Sequence, residues 1–219
     1  MNTISRYLIT IPAVLLVIML HELAHGVVAY KLGDPTAKRM GRLSLNPLKH
    51  LDPVGAICMV LFHFGWAKPV PVDMRYFRKP RRDMAITAIA GPLCNLICAF
   101  LTVPLYLLLE QAYYSAYLAN GGQGFTVGFI LMLFYFVYYF HAVSLGLCFF
   151  NLIPIPPLDG SRILFAFLPP KYYYSMMRYE RMISLALMLF LLMGANFGFL
   201  NRIASAISSG MESIWLPIL

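Results

Sequence analysis

Residues 7 to 30 read YLITIPAVLLVIMLHELAHGVVAY, an apolar run in which Glu22 is the only charge between Arg6 and Lys31. The run is longer than the ~20 residues a helix needs to cross hydrocarbon. Inside it lies His21-Glu22-Leu23-Ala24-His25. On a helix, residues four apart share a face, so the two imidazoles can grip one zinc ion with the glutamate beside them. Burying that trio in lipid is costly, which argues that the chain uses it. The pattern points to hydrolytic zinc chemistry within the bilayer.

Composition agrees. Of 219 residues, 60% are hydrophobic and 12% charged, with mean hydropathy +0.72. A soluble domain carries about 25% charged residues, so this is an integral membrane protein. One helical membrane-embedded domain over 1–219 is expected, with its core at about 4–165.

The net charge of +8 does not signal nucleic acid. Of 17 Lys and Arg, eleven fall between Lys31 and Arg82 and none between Asp83 and Ser161. Clustering between apolar runs is the signature of cytoplasmic loops, with some attraction to anionic lipid headgroups. The four cysteines, Cys58, Cys94, Cys98 and Cys148, lie in apolar segments without a CxxC pair and read as packing residues. No small-residue cleavage site follows the first run, which reads as an uncleaved span.

Four full spans are expected, at 4–30, 83–110, 125–150 and 182–200. Pro53–Phe64 is apolar but too short to cross, and reads as a re-entrant or short buried helix. Gly65-Trp66-Ala67-Lys68-Pro69-Val70-Pro71-Val72 is too proline-rich for a helix and suits an extended or hairpin segment. Lys31 to Lys49, Arg75 to Arg82 and Lys171 to Arg181 place those loops in the cytoplasm. Loop 111–124 lacks Lys and Arg and should lie outside, as should the N-terminus. Tyr113, Tyr114 and Tyr117, and again Tyr172 to Tyr174, suit interfacial aromatic belts. Ile203 to Leu219 is weakly apolar and suits the interface.

A catalytic zinc takes three protein ligands and keeps one open position. Acidic residues in or beside apolar sequence are Glu22, Glu110 and Asp159. Glu110 ends a span on the expected outer side. Asp159 follows Asn151-Leu152-Ile153-Pro154-Ile155-Pro156-Pro157-Leu158 at the expected cytoplasmic end of the third span, at the depth of the histidines. The prolines cannot continue a helix, and Gly160 permits a tight backbone, so Asp159 can turn inward. The competing reading is that Asp159 only caps the helix starting near Ser161.

Together, His21-Glu22-Leu23-Ala24-His25 and Asn151-Leu152-Ile153-Pro154-Ile155-Pro156-Pro157-Leu158-Asp159-Gly160 resemble the paired motifs of the site-2 protease family of intramembrane zinc metalloproteases. Gly41 to His50, Gly65 to Val72 and Ala90-Gly91-Pro92-Leu93-Cys94-Asn95 also look like its short prokaryotic members. The resemblance covers about residues 15 to 165, and no stretch has room for a PDZ-type domain.

The resemblance implies His21, His25 and Asp159 as ligands of one Zn2+ per chain and Glu22 as general base. It further implies that Asn95 and Asn151 line the site, binding substrate or stabilising an oxyanion. The ordinary alternative for each asparagine is an interhelical hydrogen bond. His50, His63 and His141 read as polar contacts rather than ligands. The implied substrate is a transmembrane segment of another protein, cut in regulated intramembrane proteolysis, with membrane lipid as the surroundings. An unwound strand of that substrate could pair with the segment from Trp66 to Val72. Oligomeric state is not legible. The main alternative is a zinc or divalent-metal transporter, which would need neither the glutamate base nor lack internal repeats. A membrane protease using glutamate as third ligand is disfavoured by Leu158-Asp159-Gly160, and a dead scaffold by the complete ligand set.

Overall fold

The computed structural model describes residues 3–62, 68–193 and 198–219. Among them the regular structure is helical: α1 (Thr3–Lys31), α2 (Thr36–Arg39), α3 (Pro53–Phe62), α4 (Pro80–Ala119), α5 (Phe125–Asn151), α6 (Asp159–Phe167), α7 (Pro170–Leu192) and α8 (Gly198–Trp215). Among the described residues, three helices are long and apolar enough to cross a membrane: Ser5–Lys31, Pro80–Ala119 and Phe125–Asn151. The protein is an all-α, multi-pass membrane protein. In lipid every backbone group must be satisfied internally, and long helices do this segment by segment.

The chain forms two compact units. The first takes the start of α1 to Val17, α4 from Asn95, α5 to Leu147, and Phe199–Leu219 with most of α8. Polar side chains pin its helices together. His141 on α5 donates from Nδ1 to the Ala99 carbonyl of α4 (2.9 Å) and meets Ser208 Oγ of α8 through Nε2 (2.9 Å). Tyr106 of α4 donates its hydroxyl to Glu212 Oε1 of α8 at 2.5 Å. Polar groups in an apolar unit hold helices together because no water competes for them.

The second unit takes α1 from Ile18, α2, α3, the start of α4 to Cys94, and the chain from Cys148 through α6 and α7. Asp34, fully buried, accepts the N–H of Thr36 (2.9 Å) and that of Asp73 (2.7 Å), joining the turn after α1 to the run before α4. Arg75 hydrogen-bonds the Asp73 carboxyl and holds its pKa below the usual value.

Several expectations are refined. α3 has ten residues, about 15 Å of helix, half of a ~30 Å hydrocarbon core, as a short non-crossing helix requires. The expected outer loop 111–124 is mostly helix, because α4 runs on to Ala119. Its turn is confined to Asn120–Gly124, where Gly121, Gly122 and Gly124 take φ of 61°, 78° and 108°, values that L side chains resist. The expected fourth span, 182–200, lies partly outside the described residues. It falls on the end of α7, residues 194–197 outside the described set, and the start of α8. Residues 203–219 are largely α8, and its Ser208 and Glu212 make the contacts above. His63, Gly65, Trp66 and Ala67 lie outside the described residues. The cysteines are free thiols.

Candidate metal centre

The helical spacing of His21 and His25 brings their Nε2 atoms to 3.0 Å, and both side chains are buried. The third group arrives from far along the chain. After α5 ends at Asn151, the prolines break the helix and α6 restarts at Asp159, with Leu158 rather than Asp159 at the cap position. Asp159 Oδ2 lies 3.1 Å from His21 Nε2 and 3.3 Å from His25 Nε2. Among the described residues these three side chains form the one group able to hold a metal ion.

Two glycines make the approach possible. A Cβ on Gly160 would sit 2.5 Å from the Ile153 carbonyl oxygen, so only glycine lets the chain fold back before α6. A Cβ on Gly91 of α4 would sit 2.6 Å from Cε1 of both His21 and His25. A glycine inside an apolar helix costs about 1 kcal/mol relative to alanine. Here it leaves room for two imidazoles.

The donors fit zinc. A tetrahedral zinc with bonds of about 2.0–2.1 Å sets its ligand atoms about 3.3 Å apart. The three observed separations are 3.0, 3.1 and 3.3 Å. His25 Nδ1 donates to the Thr87 carbonyl at 2.7 Å, so in the neutral ring Nε2 turns a lone pair toward the other donors. Asp159 Oδ2 is buried and has no well-formed hydrogen bond despite its closeness to both rings. Lone pairs facing each other repel unless a cation lies among them.

Glu22, half-buried beside His21, accepts the N–H of Val70 on Oε2 at 2.7 Å. Val70 belongs to an extended stretch held at several points. Lys68 donates its N–H to the His50 carbonyl (2.9 Å), and Arg42 Nη2 donates to the Lys68 carbonyl (2.6 Å). Arg42 and His50 are themselves buried, and His50 Nε2 bonds the Ser44 carbonyl at 2.9 Å, a structural contact. Asn151 is the half-buried last residue of α5, in the same unit as the three donors. Asn95 is buried but belongs to the first unit, as does His141. Thr87, Val70 and Gly91 have no part in the motif-based ligand set. Two of them act through backbone atoms that any residue carries, and Gly91 alone left a trace, as a glycine within an apolar helix.

The model of peptidase family M50 matches residues 9–195, which include every candidate residue. The chain belongs to peptidase family M50, the site-2 protease family. Over 151 residues, 69% of the chain, it is 48% identical to the protein named "Putative zinc metalloprotease YwhC" of Bacillus subtilis (strain 168). Over 175 residues, 78% of the chain, it is 27% identical to "Putative zinc metalloprotease Rip2" of Mycolicibacterium smegmatis. The matched parts cover 65% and 61% of those relatives, so the chain spans just under two thirds of their length. No solved structure matches.

Proposed function

We propose that this chain is an intramembrane zinc metalloprotease that hydrolyses a peptide bond within or near a transmembrane segment of another protein. The observation that carries this reading is the convergence of His21, His25 and Asp159 from two helices beside a glutamate held by a backbone N–H. Family membership supports it.

His21, His25 and Asp159 hold one zinc ion per chain. When bound, zinc supplies a Lewis acid that polarises a carbonyl and lowers the pKa of water toward ~7. The Thr87 carbonyl keeps the His25 ring in one tautomer and orientation. Glu22 is the general base. The Val70 N–H on Oε2 fixes its orientation, leaving Oε1 to take a proton from water and pass it to the departing amine. Asn95 and Asn151 are proposed to bind the substrate backbone or the developing oxyanion.

A helical substrate hides its carbonyls in its own hydrogen bonds, so it must unwind before cleavage. Lys68 and Val70 direct their N–H groups inward, to the His50 carbonyl and Glu22. Pro69 and Pro71 carry carbonyls and no N–H. An unwound strand can pair there through its own N–H groups. The charge pattern puts the N-terminus outside and the site toward the cytoplasm. The role is regulated intramembrane proteolysis by a single membrane-embedded domain.

The test is cleavage of single-span proteins by the purified chain in liposomes. Activity should vanish with a chelator and return with zinc. Chelator-resistant cleavage, or none of any membrane substrate by zinc-loaded protein, would sink the reading.

A further inference from the structure

His141 is 2% exposed within the apolar first unit and lies outside the candidate metal centre. Titratable groups reach it from two other helices. From α4, Tyr106 sets its ring against the imidazole, 5.2 Å between centroids, with Tyr138 of α5 beyond it at 5.9 Å. From α8 come Ser208 and, one turn on, Glu212. Arg6 and Tyr7, the titratable side chains of α1 in this unit, make none of the imidazole's hydrogen bonds.

The hydrogens along these contacts can be counted. The Ala99 carbonyl only accepts, so Nδ1 carries a hydrogen, and a neutral imidazole leaves Nε2 as an acceptor. Thr102 Oγ1, 3.5 Å from Nδ1, turns its own hydrogen to the Ala99 and Cys98 carbonyls at 2.9 and 3.0 Å. Nε2 lies 2.9 Å from Ser208 Oγ, which lies 3.2 Å from Glu212 Oε1. Tyr106 brings its own hydrogen to Oε1. With the carboxylate ionised and the imidazole neutral, the single Ser208 hydrogen faces two acceptors and one link fails. One added proton completes the chain in either of two ways. It runs from Nε2–H through Ser208 to a carboxylate, or from a carboxylic acid through Ser208 to Nε2. The same proton cancels the net negative charge of the pair, which is costly in apolar surroundings. Glu212 is half-buried and gives the proton a route to and from water.

We propose that His141, Ser208 and Glu212 form a proton-binding site that holds one exchangeable proton and thereby fastens α8 to α5. Tyr106 extends the clasp to α4. The proton comes from water and returns to it, making and breaking one N–H or O–H bond. Glu212→Gln separates this site from a plain polar contact. Its amide donates to Ser208, Ser208 donates to Nε2, and the chain is complete without an added proton.

The test uses the full chain purified in detergent. Ring-nitrogen NMR reads His141, and the infrared carbonyl band of a carboxylic acid reads Glu212, assigned by its loss in Glu212→Gln. At neutral pH one of the two should carry the proton. Amide exchange in α8, corrected for its intrinsic pH dependence, should accelerate toward alkaline pH in the parent and stay level in Glu212→Gln. Ser208→Ala should accelerate it about fivefold at neutral pH, the effect of one lost hydrogen bond. Ser213→Ala, whose hydroxyl bonds the Gly210 carbonyl on the same helix, should leave it unchanged. If Ser208→Ala does not fold, NMR and infrared on the parent decide. An ionised Glu212 beside a neutral His141, or the same pH dependence of α8 in the parent and Glu212→Gln, overturns the proposal. The readouts involve neither cleavage nor zinc, so the proposal stands or falls apart from the proteolytic reading.

Discussion

The N–H of Val70 is bonded to Glu22 Oε2 at 2.7 Å, joining two segments 48 residues apart in sequence. That bond couples the proposed base to the extended stretch proposed to hold substrate. A loss at either end should therefore be felt at the other.

Glu22→Gln keeps the size and the hydrogen bond to Val70 but cannot take a proton. Zinc content should match the parent, while cleavage falls by about 10²–10⁴-fold. A variant that retains zinc and still cleaves would remove Glu22 from the base role. Retained metal transport in vesicles would favour a carrier.

Asp159→Asn preserves volume and removes the charge facing both imidazoles. Zinc measured after dialysis should drop from about one ion per chain to a small fraction, and more completely in Asp159→Ala. Full zinc occupancy in the alanine variant would exclude Asp159 as third ligand.

At Gly91 even a methyl group meets both rings, at 2.6 Å from Cε1 of each. Gly91→Ala should weaken zinc affinity on the order of 10–100-fold, the usual size when support around ligands is disturbed. Thr87→Ala, by contrast, keeps the carbonyl that His25 uses and should leave zinc affinity within about twofold of the parent. Equal effects of the two substitutions would show that these contacts do not hold the rings.

Arg42→Met leaves the Lys68 carbonyl without its buried cation. A hydrogen bond to a charged group contributes about 1.5–3 kcal/mol, so thermal stability should fall. Cleavage should fall as well, with zinc still bound, because the loosened stretch also carries the Val70 N–H. Parent-like cleavage would mean the stretch needs no such brace.

The chain itself announced the two histidines, because a spacing of four on a helix is a local property, and the scarcity of acids in apolar sequence singled out Asp159. Hydropathy located the three helices that, among the described residues, are long and apolar enough to cross a membrane, but placed a loop where α4 continues. It measures where lipid contact ends, whereas the helix continues through Gln111 to Ala119 on its own hydrogen bonds. Backbone partners such as the Thr87 carbonyl and the Val70 N–H left no mark, since every residue could supply them.

Sequence alone determined the membrane setting, the facing imidazoles and the helix break before Asp159, all set by covalent geometry and solvation over a few residues. The tertiary structure decided that this carboxylate reaches the imidazoles, that Gly91 clears space for them and that Val70 holds Glu22. Those outcomes depend on how distant segments pack, and packing is a property of surfaces that no local pattern encodes.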